Sequence, residues 1–480
     1  MKKFYITTSI PYVNATPHIG NVLDSLYADV LARWHRQQGY DVRFLTGTDE
    51  HGAKIVRSAE AAGKSPKEFV DENSQKFRAL REILNLSWDD FIRTSDQNRH
   101  WPGARKLWKK LAENGDLYKK TYRGIYCVGH EAFITEKDLI DGKCQDHQKA
   151  PETIEEENWF FKLSDYGKKI EKLILKDKLR IVPESRKNEI LAFIRSGLKD
   201  VSFSRPSKDL KWGVPVPDDS SQTMYVWADA LVNYISALGY GSEDESLFKK
   251  YWPADIQVIG KDNLRFHAAI WPGMLLATGI KLPKTIFVHG FINVDGQKIS
   301  KTVGNVIDPA ALVGKYGAEA VRYFLLREFS PFEDGNFSYA AFEERYNSDL
   351  ANGLGNFTSR VLAMGEKLGK IKAEKEDKLV IQKIKSIKKI FEEDIKESRI
   401  HEALMAIWEL IHYGDAYVNE KQAWNHPECI YTLIVILDTI AALLNPFLPK
   451  TSEKITQAIA WEDKSSLRVK KTENLFPRIP

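Results

Sequence analysis

Residues 4–10, FYITTSI, are β-rich and apolar along one side, the pattern of a strand buried in a sheet. A short polar loop follows, and then the period changes. Val22, Leu23, Leu26, Tyr27, Val30, Leu31 and Trp34 recur at helical spacing, with Gly39 placed to end the helix. Residues 42–47, VRFLTG, return to strand character. Strand, helix, strand opens a parallel α/β sheet. The loop 14–21, NATPHIGN, is therefore expected between a strand's carboxyl end and a helix N-terminus, where such sheets bind ligands and helix N–H groups attract phosphate.

From about 116 to 224 the texture changes. The stretch is charged and loop-rich and reads as an insertion. Alternating α/β texture returns at 224–238, 256–262 and 284–292. From about 345 the pattern is helical: Ile381, Ile384, Ile387 and Phe391 share one face of 379–395, and 401–424 repeats the pattern. A helical bundle joined to the α/β body is expected. The most apolar stretch, YTLIVILDTIAALLNPFLP (431–449), carries Asp438 and is broken by prolines, so it reads as a buried helix and no membrane span is expected. Residues 372–378, KAEKEDK, read as a short charged linker.

Composition narrows this only a little. A chain of 480 residues predicts several domains, and 43% hydrophobic residues allow sizeable cores. A formal net charge of +4 is compatible with a polyanionic partner without singling one out. Three cysteines, Cys127, Cys144 and Cys429, argue against a secreted disulfide scaffold and fit a reducing cytosol. The start, MKKFYITTSIPY, lacks the apolar core and cleavage site of a signal peptide, so a cytoplasmic protein is expected.

Two short motifs carry the chemistry. DGQKISKTVGN (295–305) sets Lys298 and Lys301 three apart, with Ser300 and Thr302 beside them and glycines on both sides. One reading is a solvated basic turn. The other is a cationic loop that closes on a triphosphate and neutralises charge growing on departing pyrophosphate. PHIGN supplies an imidazole and a glycine in the opening loop. No GxxxxGK[ST] phosphate loop is present, so a protein handling ATP here needs another phosphate grip.

Taken together, His18-Ile19-Gly20-Asn21 and Lys298-Ile299-Ser300-Lys301-Thr302 resemble the HIGH and KMSKS signatures of the class I aminoacyl-tRNA synthetases. The strings SIPYVNATPHIGN, FLTGTDEHG, YVWADALVNY, VIGKDNLRFHAAIWPGML and KISKTVGNVIDP occur in the order found in the methionyl-tRNA synthetase family, and the likeness runs over nearly the whole chain. The resemblance implies a methionine pocket built from Ile10, Tyr12, Asp49, Trp227, Ala230, Leu231, Tyr234, His267 and Trp271. Asp49 would hold the substrate ammonium, and aromatic rings would pack on the thioether. ATP would lie near His18, Gly20, Asn21, Gly260 and Lys301, with Asp262 on the ribose hydroxyls. Each aromatic residue taken singly also reads as core, and Asp262 as a turn residue. The chain departs from the family at Asn21, where HIGH ends in histidine, and at Asn263, where an aliphatic residue is usual.

Within 126–148, Cys127 and His130 form C-x2-H, and Cys144 and His147 form a second, thirteen residues on. Four such ligands in two knuckles suit tetrahedral structural zinc, while buried thiols beside unrelated histidines are the plain alternative. The resemblance favours a zinc knuckle, usually with cysteine in place of His130. In the tail, Asn356 and Arg360 share a helix face, and Trp424 ends NEKQAW. The family reads the anticodon with such residues; read alone, the pair is an ordinary exposed face and Trp424 is core.

The expected architecture is α/β: a doubly wound, Rossmann-type parallel-sheet catalytic domain in two halves, 1–115 and 225–295. A connective insertion, 116–224, holds the zinc knuckle. A lysine-loop and stem-contact region covers 296–345, and an all-α anticodon-binding bundle covers 346–480. The activity implied is ATP-dependent ligation of L-methionine to tRNA(Met) through methionyl-adenylate, with Mg²⁺ carried on ATP. The insertion is too short for the large editing domain of the leucine, isoleucine and valine enzymes, so proofreading against homocysteine is expected in the synthetic site. A chain ending at Pro480 leaves no room for an added dimerisation domain, and a monomer is expected. Two other classes fit some of the residues: a synthetase-derived RNA-binding protein without catalysis, and a nucleotidyltransferase of related fold. Intact His18, Gly20, Lys298 and Lys301 oppose the first, and the long helical tail opposes the second.

Overall fold

The computed structural model describes the chain except residues 130–131, 135, 147, 300–303, 374–376 and 464–465, and describes only the backbone of 122–123, 132–133, 154 and 463. The chain forms two compact units. The first comprises residues 1–17, 39–81 and 88–288; the second comprises 18–38, 82–87 and 289–480.

The first unit is built on a six-stranded sheet. Its strands are β1 (Lys3–Thr8), β2 (Asp41–Thr48), β3 (Asp90–Arg93), β4 (Arg180–Val182), β5 (Ile256–Gly260) and β6 (Thr285–His289), in the order β3-β2-β1-β5-β6-β4. The pairings β3–β2, β2–β1, β1–β5 and β6–β4 are parallel. Strand order reverses between β1 and β5, and parallel sheets bind ligands outside the carboxyl ends at such a point. Central strands of this kind are covered on both faces, which is why β1 reads as an unbroken buried run from Phe4 to Thr8.

The insertion is more regular than its charged sequence suggests. Strands Leu117–Cys127, Ala132–Ile134, Glu152–Phe161 and Val201–Ser202 make an antiparallel sheet, with helices Gly167–Leu175 and Glu184–Arg195 between the last two strands in the chain. It also returns β4 to the edge of the parallel sheet. The expected loop-rich texture is corrected on this point: ETIEEENWFF is a strand held by pairing with Leu117–Cys127, although its glutamates fall on both faces and give no alternating pattern.

The second unit begins with a 3₁₀ turn, Ile19–Val22, and helix α1 (Leu23–Gln37), which Gly39 closes at φ +76°. Its other helices include α2 (Ala318–Arg327), α3 (Asn356–Leu368), α4 (Lys378–Lys396), α5 (Ile400–Glu420) and α6 (Ile430–Leu444). Asp377 caps α4 by accepting from the Leu379 N–H at 2.9 Å. Ile384, Ile387 and Phe391 are buried on the expected face of α4. By length and composition 427–444 could cross a membrane, but 72% of it is buried inside the protein. Burial pushes the Asp438 carboxyl up from its ordinary value.

Candidate active site

In the first unit the segments leaving β1 and β2 are tied together. The Asp49 N–H donates to the Pro11 carbonyl at 2.9 Å, and the Val13 N–H donates to the Asp49 carbonyl at 3.1 Å. Tyr12 and Asp49 thus form a parallel bridge just past the two strands. Asp49 is buried, and Thr94 Oγ1 donates to its Oδ1 at 3.4 Å. A carboxylate at that depth is stabilised by a cation rather than by bulk water.

The aromatic residues assemble around one core. Ile10, Tyr12 and Trp227 pack on the cluster that includes Leu231, Tyr234 and Trp271, and Ala230 is buried. Trp227 stacks on Phe266 with centroids 3.7 Å apart and planes 9° from parallel, so Phe266 joins this aromatic cluster, a contact that sequence reasoning missed. The Tyr234 and Trp271 rings lie 6.1 Å apart. His267 Nδ1 is 3.0 Å from the Asn263 carbonyl, which can only accept. Nδ1 therefore carries the proton, and Nε2 accepts from the Tyr234 hydroxyl at 2.6 Å. The partner at position 263 is backbone, so asparagine there leaves this hold intact. Gly260 ends β5 beside β1, and Asp262 is exposed in the 3₁₀ turn Lys261–Asn263 that follows.

Sequence reasoning also missed a buried network. Asp229 is fully buried in the short helix Val226–Ala230, between Trp227 and Ala230. Its Oδ2 lies 2.6 Å from His51 Nδ1 and its Oδ1 lies 2.5 Å from His100 Nε2. Burial pushes that carboxyl up, but the charge of His51 and the hydrogen bonds from both imidazoles outweigh it and hold it at about 2. An acidic residue inside the apolar run YVWADALVNY was the available signal.

In the second unit the two signature segments meet. His18 caps the turn Ile19–Val22: its Nδ1 accepts from the Gly20 N–H at 3.1 Å, and the Asn21 Oδ1 accepts from the His18 N–H at 3.1 Å. With Nδ1 occupied as an acceptor, the neutral ring carries its proton on Nε2 and can donate to an anion. Asn21 serves here as half of a capping box, a role that needs no charge. The Ile19 N–H donates to the Ile307 carbonyl at 3.1 Å, and a Cβ on Gly20 would lie 3.6 Å from Ile299 Cδ1. Lys298 is exposed at the end of the strand Gln297–Lys298, and Asn305 Nδ2 donates to its carbonyl at 3.1 Å. Ser300, Lys301 and Thr302 lie outside the described residues. Deeper in, still within the second unit, His289 Nε2 is hydrogen-bonded to Asp24 Oδ1 in the first turn of α1.

At the other end of the second unit, Asn356 is exposed and Arg360 half-buried, one turn apart on α3. Arg360 donates to Asp415 Oδ1 and Asn419 Oδ1 of α5, each at 2.9 Å. Trp424 is 55% exposed, so the reading of this indole as core is set aside.

Cys127 and Cys144 are both buried, and neither is in a disulfide. His130 and His147 lie outside the described residues. Among the described residues no group of three or more His, Cys, Asp or Glu side chains could hold a metal ion.

Residues 4–145 and 134–362 match the family of class I tRNA synthetases (M), and 377–476 match the anticodon-binding domain of tRNA ligases. The methionine–tRNA ligase of Clostridium acetobutylicum is 44% identical, aligned over all of this chain and 78% of its own length. That of Thermotoga maritima is 42% identical over 97% of this chain and 76% of its own. The structure of Mycobacterium tuberculosis methionyl-tRNA synthetase in complex with methionyl-adenylate superposes with a TM-score of 0.94 at 36% identity, covering all of both chains. On this footing, with a parallel-sheet α/β core and a helical C-terminal part in place, the chain belongs to the methionine–tRNA ligase family of class I synthetases.

Proposed function

We infer that the protein activates L-methionine with ATP, releasing pyrophosphate, and transfers the methionyl group from methionyl-adenylate to the 3′ end of tRNA(Met). The observation that carries this reading is the likeness to methionine–tRNA ligases along the whole chain. In the first step the methionine carboxylate attacks the α-phosphorus, and the bond to pyrophosphate breaks. Asp49 pairs with the substrate ammonium, and the Trp227, Tyr234, His267 and Trp271 wall encloses the thioether. His18 donates from Nε2 to a phosphate oxygen, and Lys298 and Lys301 stabilise the charge that develops on the leaving pyrophosphate. Gly260 and Asp262 serve the ribose. Mg²⁺ enters with ATP as its counter-ion. In the second step a terminal ribose hydroxyl of the tRNA attacks the activated carbonyl and AMP leaves. Neither step needs a covalent protein nucleophile.

Asn356, Arg360 and Trp424 read the anticodon. Trp424 offers a stacking face, and Arg360 is preorganised by Asp415 and Asn419. The domain limits set out above, 116–224 for the insertion and 346–480 for the bundle, belong to this reading, as does a cytoplasmic location, where translation uses the product. Cys127, Cys144, His130 and His147 would hold a structural zinc that cross-links the insertion. Two buried thiols outside any disulfide suit that donor set. Metal analysis of the purified protein against Cys144→Ser tests this, and equal zinc content in both rejects it.

Methionine-dependent ATP–pyrophosphate exchange tests the reaction. Exchange with L-methionine, lost in His18→Ala and Lys301→Ala by about a hundredfold or more, is expected. Full exchange in Lys301→Ala would remove the loop from the chemistry.

A further inference from the structure

The buried cluster of His51, His100, Asp229 and Ser236 belongs to no step above. It joins three separate stretches of the first unit: the turn after β2, the N-terminus of the helix Trp101–Glu113, and the pair of short helices Val226–Ala230 and Asn233–Ser236. His51, His100, Asp229 and Ser236 are all at most 2% exposed. Each oxygen of the Asp229 carboxylate takes one imidazole, and the far nitrogen of His100, Nδ1, sits 2.8 Å from Ser236 Oγ. His51 is wedged edge-on between Trp101 and Trp212, with centroids at 6.1 and 5.8 Å, and Trp212 Nε1 donates to the Glu50 carbonyl at 2.5 Å. Neighbouring Glu50 is itself fixed, accepting from Arg93 Nε at 2.7 Å and from Thr48 Oγ1 at 2.7 Å.

Burying a carboxylate with two titratable rings is an expensive way to fill a core, and an apolar cluster of the same volume would pack at least as stably. What such a network supplies is direction, because each bond fixes a distance and an angle. Here the fixed parts are two halves of one pocket. Asp49, which would pair with the substrate ammonium, is two residues before His51. Trp227 and Ala230, which would form the side-chain wall, flank Asp229.

We propose that Asp229, clamped between His51 and His100, is a positioning residue that sets the spacing between the ammonium-binding carboxylate Asp49 and the wall Trp227–Ala230, and so sets the affinity for the amino acid. The proposal rests on the methionine-pocket reading above. It assigns no contact between Asp229 and substrate. The residues next to this network, Asp49 and Trp227–Ala230, are ones the methionine-pocket reading assigns to the amino acid, so its loss acts on methionine and leaves the handling of ATP intact.

Steady-state ATP–pyrophosphate exchange tests this, with KM for methionine, KM for ATP and kcat measured separately. Asp229→Asn keeps the shape but can accept from only one imidazole. It is expected to raise KM for methionine about tenfold or more, the effect of losing one hydrogen bond to a charged group, while KM for ATP stays within about twofold. The side chains of His51 and His100 give a second series. An asparagine amide mimics Nδ1–H and a glutamine amide mimics Nε2–H. His51→Asn and His100→Gln should therefore recover most of the methionine affinity that His51→Ala and His100→Ala lose. If Asp229→Asn does not fold, this second series decides alone. Unchanged KM for methionine in Asp229→Asn overturns the proposal. So does a parallel loss in both KM values and kcat, or equal damage from the alanine and amide variants, because each marks a merely structural role. Asp49→Asn separates the underlying reading: if it keeps wild-type methionine affinity, the pocket assignment itself is wrong, whatever Asp229 does.

Discussion

His18 and Gly20 are fitted to each other: the glycine N–H donates to the imidazole Nδ1 at 3.1 Å, and a Cβ at position 20 would stand 2.9 Å from the ring's Cε1. No side chain can enter that space without turning the ring. We expect Gly20→Ala to lower kcat for pyrophosphate exchange by about a hundredfold, the penalty of a displaced reacting group, while the melting temperature stays near wild type. Exchange at the wild-type rate would show that the ring's pose is not what the reaction uses.

A second expectation concerns stability. Arg322 and Asp29 form a fully buried ion pair at 2.8 Å, and Arg322 also donates to the carbonyls of Leu84, Pro446 and Phe447. Burial pushes the Asp29 carboxyl up, but Arg322, Arg33 and a hydrogen bond from Ser87 outweigh it and hold it below its ordinary value. Removing one partner strands the other, so Arg322→Met should destabilise the protein by about 3–5 kcal/mol in urea titrations at neutral pH. A carboxyl lowered in the folded state contributes its stability above its unfolded value and loses it as pH falls through the folded one. The gap between wild type and Arg322→Met should narrow on acidification, and a gap constant with pH would contradict the ion-pair account.

Trp424 and Arg360 should matter to tRNA and little to adenylate formation. A stacked base is worth roughly 1–3 kcal/mol, so Trp424→Ala should raise KM for tRNA(Met) in charging assays by about tenfold or more. Exchange measured without tRNA should hold. Equal loss in both assays would mean that the exposed indole supports the fold instead.

Homocysteine differs from methionine by one methyl group, and a missing methylene lowers pocket affinity by only about 1–3 kcal/mol. We expect the purified enzyme, given homocysteine and ATP, to consume ATP in excess of any stable product as the activated analogue is discarded in the synthetic site. ATP use no greater than with buffer would refute this.

How far could these features be read beforehand? The strand–helix–strand opening and the helical tail were legible because both depend on local periodicity: β1, α1 and α4 show their buried faces directly in the residue pattern. The insertion was not, because Glu152, Glu155, Glu156 and Glu157 occupy both faces of Glu152–Phe161 and leave only its last residues buried, and because β4 gains its place only by pairing with a strand a hundred residues later. Within the candidate site, Tyr12, Asp49, Tyr234 and Trp271 were singled out from strings that resemble the family's. Phe266, His51 and His100 escaped notice because their roles arise from contacts across long separations. Trp424 ran the opposite way: an apolar residue that reads as core when taken alone is half in solvent, a difference that periodicity cannot express at the end of a helix.

The Arg322 clamp also has a bearing on biosynthesis. Helix α1 is made before residue 322, so Asp29 meets its buried counter-charge only when that residue is made, and the guanidinium finds its last carbonyls at 446 and 447. Closing so long a loop is slow, and contacts of high sequence separation form late. Until then the described partners of Asp29 within reach are Arg33 and Ser87, so the packing of this stretch is completed late.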